Sequence, residues 1–421
     1  MNSLFATLLK RNFSTSSAKK TSVYLWTSMP TISPKGAAQI SQQLQIPKGV
    51  PNRVAAFDNL DIQKLYVGLR ASAAVSGDGK LYLFGSGNYG VLGQGTEKDA
   101  KFNKPVLVDY FVKRDKRVVD IAVGEYHSIA LTDDGSVYTW GYGGKTGFFN
   151  WMYTQEVGAL GHGDKKHHFT PKKVDFFEKN NIKVKSVQAG MYHCVALAED
   201  GRLYLWGRGL YGVLGNGSNS YSLEPELNEE LDILRKEEGE GKTIVKVDSA
   251  DEYTGVLMKD GSYWVWGKND RGQLGLGSGI GIDMVESESQ PAQVVVEGGK
   301  VKNFATGMNT MLIQDEGDNV YKTGLKIDYT PKRFELDPGF AGSAIKGMQC
   351  GRKHYVLWNE DNKLLVWGNI LKEKPENKTD GFGLHSGESL FEGGTIRDIS
   401  MKYGIFGALI EHPETPSTPG L

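Results

Sequence analysis

The chain has 421 residues, 39% hydrophobic and 10% aromatic, which is enough for two or three ordinary domains or one large repeat architecture. Its 49 Lys and Arg residues nearly balance 50 Asp and Glu residues, so it lacks the basic excess by which proteins usually bind nucleic acid. Two cysteines cannot form a disulfide framework, and no apolar stretch approaches the ~18 residues of a membrane-spanning helix. The 54 glycines are about twice the usual ~7%, which indicates many turns.

The first twenty residues have the composition of a mitochondrial targeting segment. Leu4, Phe5, Leu8 and Leu9 would form one apolar face of a helix. Two basic residues, Lys10 and Arg11, come next, and a Ser/Thr run follows them. No acidic residue precedes Asp58. We therefore predict that residues 1–20 address the protein to mitochondria, with the matrix side favoured; the alternative is a disordered cytosolic tail.

One motif recurs through the rest of the chain, and we call it the DG motif. Its clearest copies are DGKLYLFG, DGSVYTWG, DGRLYLWG and DGSYWVWG, and GDNVYKTG and DNKLLVWG are degenerate copies. The final glycines are 44 to 66 residues apart, at Gly85, Gly141, Gly207, Gly267, Gly324 and Gly368. Repetition at this period is typical of propellers and solenoids.

Two further motifs accompany the DG motif. A GH motif precedes it, most clearly as GEYHSIAL (124–131) and GMYHCVAL (190–197), and DEYTGVL (251–257) aligns with Asp251 in place of the glycine. An LG motif follows it, as in YGVLGQG (89–95), VGALGHG (157–163), YGVLGNG (211–217) and RGQLGLG (271–277). Alternating apolar residues on both sides of Asp-Gly predict β-hairpins. The recurring tryptophans are predicted to pack between neighbouring sheets.

The two ends of the chain read as complementary halves of one repeat. Residues 22–27 (SVYLWT) resemble its second half, and residues 396–410 (IRDISMKYGIFGALI) resemble its first half. Together they complete a seventh unit and remove the open edges of the sheet array. We predict an all-β, seven-bladed β-propeller of four-stranded blades over residues 21–411, closed by the N- and C-terminal strands, with an extended tail at 412–421.

The combination G-x-x-H-x-x-A-L, D-G-x-V-Y-x-W-G and G-x-L-G-x-G resembles the repeat of the regulator of chromosome condensation family. The resemblance covers residues 21 to about 411, and with the leader it extends to mitochondrial members. It implies a seven-bladed propeller with a split closing blade. It also implies several functions, because the founding member exchanges nucleotide on the small GTPase Ran, whereas others are inhibitors, ubiquitin-ligase modules or assembly factors.

No catalytic constellation emerges, so we expect a protein that is not an enzyme and has no cofactor or metal site. GGKT (143–146) resembles the end of a phosphate-binding loop, but Thr139 stands where that loop needs glycine. His162, His167 and His168 are expected to lie in a solvated surface loop. The histidines of the GH motifs are expected to bond backbone near the propeller axis; they are His127, His193 and His354.

The insertion YGGKTGFFNWMYTQE, between Gly141 and Val157, is too apolar for an idle exposed loop. Aromatic residues and Met are enriched at interfaces, and we predict a partner-binding site formed by Phe148, Phe149, Trp151, Met152 and Tyr153. The alternative is that this loop folds back on its own blade. A second insertion, residues 222–242, is predicted to form a short acidic helix on the rim.

The preferred function is a scaffold, accessory or assembly subunit of a large mitochondrial complex, either a respiratory complex or the ribosome. Its partners would be protein subunits of that complex, at the periphery of the inner membrane if the complex is respiratory. No direct binding to nucleic acid is expected. The alternative is a guanine-nucleotide exchange factor whose partner is a small mitochondrial GTPase.

Overall fold

A computed structural model describes residues 20–28, 46–96, 101–144, 158–277, 286–325, 328–368, 370–379 and 381–413. Within these ranges the chain begins with strands β1 (Lys20–Thr27) and β2 (Asn52–Arg53), which belong to the last blade. Seven antiparallel sheets follow one another around a propeller; six have four strands and one has five.

The strands of blades 1 to 3 are β3 (Ile62–Tyr66), β4 (Ala71–Ser76), β5 (Leu81–Ser86) and β6 (Lys101–Leu107); β7 (Val118–Val123), β8 (His127–Thr132), β9 (Val137–Gly141) and β10 (His168–Lys173); and β11 (Val184–Ala189), β12 (His193–Ala198), β13 (Leu203–Gly207) and β14 (Ser222–Leu227). Those of blades 4 and 5 are β15 (Ile244–Ser249), β16 (Tyr253–Met258), β17 (Tyr263–Lys268) and β18 (Ser287–Val294); and β19 (Val301–Thr306), β20 (Thr310–Asp315), β21 (Val320–Gly324) and β22 (Asp328–Phe334).

Blade 6 has the strands β23 (Ile345–Cys350), β24 (Tyr355–Asn359), β25 (Lys363–Trp367), β26 (Asn377–Thr379) and β27 (Phe382–Ser386), and blade 7 adds β28 (Thr395–Lys402) and β29 (Ile405–His412) to β1 and β2. Short helices connect some strands: α1 (Asp109–Val112), α2 (Asp175–Lys179), α3 (Glu229–Glu238) and α4 (Gly387–Leu390). The predicted acidic helix is therefore confirmed as α3. No helix of the described ranges has the length and apolar character needed to cross a membrane.

The ring is closed by the two ends of the chain, as the sequence predicts. Strand β1 lies between β2 and β29, and Val23 pairs with Leu409 while Trp26 pairs with Phe406. The Trp26 and Phe406 rings stack with centroids 5.3 Å apart. The prediction of a seven-bladed propeller with a split closing blade is confirmed.

Hydrophobic contacts between neighbouring blades form the core, and three tryptophans of the DG motifs occupy its centre, whereas Trp367 is half-buried. Trp140, Trp206 and Trp266 are fully buried, which confirms their predicted packing role. Each indole N–H also donates to a carbonyl in the LG motif of the preceding blade: Trp140 to Val91 (2.7 Å), Trp206 to Ala159 (3.1 Å) and Trp266 to Val213 (2.9 Å). The two motifs therefore form one joint between successive blades.

The glycines of this joint are required by space and by backbone conformation. Gly161 of the LG motif has φ +73°, and a Cβ there would lie 2.7 Å from the indole nitrogen of Trp206. At the end of the DG motif, Gly141 has φ +109°, and a Cβ there would lie 2.4 Å from the carbonyl oxygen of Tyr126. Side chains other than hydrogen would strain both positions.

The turns of the GH motifs form an inner rim and establish the alignment of the repeats. Gly124 N–H donates to the His127 carbonyl, and in blade 4 Ala250 N–H donates to the Tyr253 carbonyl. Tyr253 pairs with Gly267 as His127 pairs with Gly141. The alignment of Asp251 with the motif glycine is therefore wrong by one residue, because Ala250 occupies that position.

Asp251 takes part in a polar network that joins three blades across the central cavity. This cavity has a volume of about 180 Å³ and is lined by residues of the innermost strands and their turns. The buried carboxylate of Asp251 accepts a hydrogen bond from the Tyr403 hydroxyl and lies 3.4 Å from Lys402 Nζ. Lys402 in turn lies 3.4 Å from the hydroxyl of Tyr66 in blade 1. Blade 4 is thereby fastened to the closing blade.

Candidate protein-binding face

Two tyrosines of the GH motifs stack across the boundary between blades 2 and 3. Tyr126 and Tyr192 each precede the motif histidine, so the repeat places them at equivalent positions of adjacent turns. Their ring centroids are 5.9 Å apart with an interplanar angle of 21°. The Arg70 guanidinium lies 4.6 Å from the Tyr126 ring centroid and donates to its hydroxyl at 2.8 Å, and Arg208 lies 5.4 Å from the Tyr192 ring centroid. Cation–π contacts therefore extend the stack at both ends.

Three further rings join this stack through Tyr89, which belongs to the LG motif of blade 1. Tyr89 is 41% exposed, and its ring centroid lies 5.4 Å from that of Tyr126 and 4.9 Å from that of Tyr142. The His167 ring stacks on Tyr142 at 4.9 Å. We call the seven residues together the aromatic patch: Arg70, Tyr89, Tyr126, Tyr142, His167, Tyr192 and Arg208.

Burial holds three phenols of the patch, those of Tyr126, Tyr142 and Tyr192, in the neutral form. Burial raises the pKa of Tyr126 to about 12, and the carboxylate of Glu125 acts in the same direction. Burial also raises the pKa of Tyr142 and that of Tyr192 above their usual values. The Glu125 carboxylate lies 3.2 Å from the Arg70 guanidinium and so balances its charge. The patch thus presents aromatic surface, hydroxyl groups and guanidinium groups.

This composition is typical of a protein interface. Tyr and Arg are the side chains that most often dominate the binding energy of protein interfaces. Within the described ranges, no three His, Cys, Asp or Glu side chains are grouped so as to hold a metal ion. The buried Cys194 and Cys350 have pKa values raised by burial, which keeps both thiols protonated.

The partner-binding residues predicted from the sequence are Phe148, Phe149, Trp151, Met152 and Tyr153, and all five lie outside the described residues. The described chain before them ends at Gly144, and Gly143 N–H donates to His167 Nδ1 at 3.0 Å. The aromatic patch therefore adjoins the start of the insertion. Sequence reasoning missed the patch, although tyrosine at the same position in GEYH and GMYH is a signal that could have revealed it.

The expectation of a solvated loop at His162, His167 and His168 holds only in part, because His162 and His167 lie in a loop but all three side chains are half-buried. His162 lies 3.0 Å from the Thr139 hydroxyl, and burial lowers its pKa to about 3. His167 belongs to the aromatic patch, and His168 begins strand β10. The compact form of the LG loop of blade 2 explains the difference, since it folds this segment back against β9.

One histidine of the GH motifs bridges adjacent blades, since His193 Nε2 lies 2.9 Å from the Ser249 hydroxyl. Among the described residues the buried His127 Nε2 has no hydrogen-bond partner, so the expected bond to backbone is not seen at either of these two atoms. Burial lowers the pKa of His127 to about 4 and that of His193 to about 3. Both side chains are therefore neutral structural groups near neutral pH.

The fold is a seven-bladed β-propeller built from GH, DG and LG repeats. The chain belongs to the RCC1-like domain family, whose model matches residues 23–372. This confirms the family resemblance predicted from the motifs.

The chain is similar in sequence to three relatives of different kinds. The mitochondrial RCC1 domain-containing protein RUG3 of Arabidopsis thaliana is 30% identical over 337 residues, covering 76% of this chain and 68% of RUG3. The E3 ubiquitin-protein ligase HERC2 of Homo sapiens is 29% identical over 321 residues, and the match covers 73% of this chain but 6% of HERC2. The match to the ultraviolet-B receptor UVR8 of Arabidopsis thaliana, 28% identical over 231 residues, covers 55% of this chain and 47% of UVR8. The chain thus spans well under two thirds of the length of HERC2 and UVR8.

Two solved structures share the fold. Prp20p of Saccharomyces cerevisiae, described with its binding properties to Gsp1p and histones, superposes with a TM-score of 0.74 at 16% identity, covering 96% of this chain and 95% of Prp20p. Human WBSCR16 superposes with a TM-score of 0.69 at 18% identity, covering 94% of this chain and 99% of WBSCR16.

Proposed function

We propose that the protein is a non-enzymatic, protein-binding propeller that serves as an accessory or assembly subunit of a large mitochondrial complex, a respiratory complex or the ribosome. The observation that carries this proposal is the aromatic patch, in which a ring that is 41% exposed packs against other tyrosines beside two arginines. An aromatic side chain held rigidly by its neighbours loses little conformational entropy on binding, which favours docking. We propose that Phe149 and Trp151 of the insertion also contribute to partner binding.

The mitochondrial location is supported by the composition of residues 1–20 and by the mitochondrial relative RUG3. A fusion of residues 1–30 to a reporter is expected to enter mitochondria. A reporter that stays in the cytosol would overturn the predicted address.

The proposal is tested by Tyr89→Ser, which removes the exposed ring at the centre of the patch. Tyr221→Ser is the control for the loss of an exposed ring, because Tyr221 is also 41% exposed but is not one of the seven patch residues; Lys165 Nζ lies 4.5 Å from its ring centroid. Loss of an interface hot spot weakens binding by about 2 kcal/mol or more, which is roughly thirty-fold. On a density gradient of mitochondrial extract, we expect the Tyr89→Ser variant no longer to co-sediment with the large assembly. The Tyr221→Ser variant should still co-sediment with it.

Both variants should melt within a few degrees of the parent protein, so that loss of folding is not mistaken for loss of binding. Equal co-sedimentation of the two variants would contradict the proposal. Accelerated release of labelled nucleotide from a mitochondrial GTPase, together with a complex that saturating nucleotide weakens, would instead identify an exchange factor.

A further inference from the structure

A second surface lies on the outer rim, where blades 3 and 4 meet. It is formed by a different part of the repeat from the GH-motif turns that carry the aromatic patch. Here helix α3 and the outer strands β14 and β18 enclose a groove of about 600 Å³. Helix α3 has 10 residues, whereas the corresponding α1 and α2 have 4 and 5. The groove is thus a departure from the repeat, which is where recognition surfaces on rigid rings are found.

One wall of the groove is apolar. Ile233 on α3 is 50% exposed, and Leu234 and Leu227 beside it are half-buried. The helix is anchored from the other side by Leu231, which is buried in the core between the blades. Asn228 caps the helix by accepting from Leu231 N–H at 3.0 Å and donates to the Gly215 carbonyl at 3.0 Å. Ile233 is therefore held in an exposed position by a well-anchored helix.

Acidic and amide side chains form the rest of the rim. Glu226, Glu229 and Glu230 line the groove, and Glu288 lies close enough to act on Glu230. Burial, followed by the Glu288 carboxylate, raises the pKa of Glu230. Across the described ranges no ion pair involves any of these four, whereas Asp232 of the same helix lies within 2.7 Å of both Arg235 and Lys236. We call the four residues the groove carboxylates.

The position of the groove carboxylates is only partly explained by the helix. Glu229 and Glu230 lie in the first turn of α3, where the helix dipole favours negative charge. Glu226 lies on β14 and Glu288 on β18, so neither gains from that dipole. Metal binding is not indicated either, since no three of the described His, Cys, Asp or Glu side chains form a metal-holding group. Phosphate-bearing partners would be repelled.

We propose that this groove binds a basic amphipathic segment of another protein. Lysine or arginine side chains of the segment would pair with the groove carboxylates, and an aliphatic side chain would cover Ile233 and Leu234. Docking of an amphipathic helix into a groove through anchors at i, i+3, i+4 and i+7 is a common mode of recognition. The proposal is independent of the aromatic patch and of the function proposed for it.

The test uses the full chain and a fluorescent amphipathic peptide of about 15 residues, made of Ala, Leu and Lys with its leucines at those spacings. A twin peptide carries Glu in place of Lys. We expect saturable, equimolar binding of the lysine peptide that weakens as salt screens the charges, and no binding of its twin. The double variant Glu229→Gln, Glu230→Gln should weaken binding at least ten-fold, and Ile233→Ser should weaken it similarly.

Glu237→Gln is the control for the loss of one charge, because it removes a single carboxylate at an exposed position of α3 away from the groove and should leave binding unchanged. Glu226→Gln provides a variant outside the helix, in case the double variant unfolds α3. Lack of saturable binding, equal binding of the twin, or an equal effect of Glu237→Gln would overturn the proposal. Self-association of the parent protein that Ile233→Ser abolishes would also overturn it, because the occupant would then be a second copy of the chain.

Discussion

Replacing Trp266 with Phe should weaken the joint between blades 3 and 4 more than the same change at Trp140 weakens the joint between blades 1 and 2. Both indoles are fully buried and donate to an LG-motif carbonyl, Trp266 to Val213 and Trp140 to Val91. The two sites differ in what remains after the change. The Val91 carbonyl has a second donor, because the Ser128 hydroxyl also donates to it at 2.9 Å. Among the described residues, the Val213 carbonyl has Trp266 as its single donor.

The magnitude follows from these contacts. A buried acceptor left without a donor costs about 1–3 kcal/mol, and the smaller ring leaves a cavity that costs roughly 1 kcal/mol more. Trp266→Phe should therefore lower the free energy of unfolding by about 2–4 kcal/mol. Trp140→Phe should lower it by about 1–2 kcal/mol, because the Ser128 hydroxyl still satisfies the carbonyl.

Urea titration followed by circular dichroism measures both changes, and amide hydrogen exchange in β16 and β17 shows whether blade 4 opens first. Trp264→Phe is the control, since this half-buried indole lies on the same strand and donates to Ser262 Oγ instead of the LG motif. Equal losses at Trp266 and Trp140, or a loss at Trp264 as large as at Trp266, would refute the role given to the hydrogen bond.

The remaining predictions concern the buried polar groups. Asp251→Ala should lower the free energy of unfolding by about 3–5 kcal/mol, because it leaves the buried Lys402 without its carboxylate. Urea titration measures this change. If Asp251→Ala costs no more stability than Tyr403→Phe, the result would argue against the cross-cavity network. Burial lowers the pKa of His193 to about 3 from a usual value near 6.5, so the unfolded chain binds the proton more strongly. The stability contributed by neutral His193 should be present above pH 6.5 and fall as the pH drops towards 3, by up to about 4–5 kcal/mol, and His193→Gln should flatten the stability profile between these pH values.

The architecture could be predicted because short local motifs specify each hairpin and recur along the chain. Asp-Gly between alternating apolar runs specifies a hairpin wherever it occurs, and four clear copies locate the blades. The closing blade could be predicted because SVYLWT and the segment ending at Ile410 each lack the half that the other supplies. The tryptophans could be assigned to the core because they recur at one position of the repeat. The acceptor of each indole N–H could not be predicted, because it lies in another blade and the residues around the tryptophan do not indicate it.

Contacts that exist once in the molecule could not be predicted. The bond from Tyr403 to Asp251 joins residues 152 positions apart, and a repeat pattern contains no information on a pair that does not recur. The alignment of DEYTGVL was wrong because alanine replaces glycine at residue 250, and only strand pairing resolves the position. Thr323 replaces tryptophan in blade 5, yet its hydroxyl donates to the Gln273 carbonyl at 2.9 Å and so preserves the joint. The aromatic patch combines side chains of three blades, which only the closed ring brings together.

We expect the aromatic patch to contact a protein of a large mitochondrial assembly. Photo-crosslinking from benzoylphenylalanine placed at position 89, in intact mitochondria, tests it most directly, with the same residue at position 221 as reference. The account predicts that position 89 forms a covalent adduct with one defined subunit of such an assembly, and that position 221 does not. Adducts of equal yield and composition from both positions, or none from position 89, would contradict it.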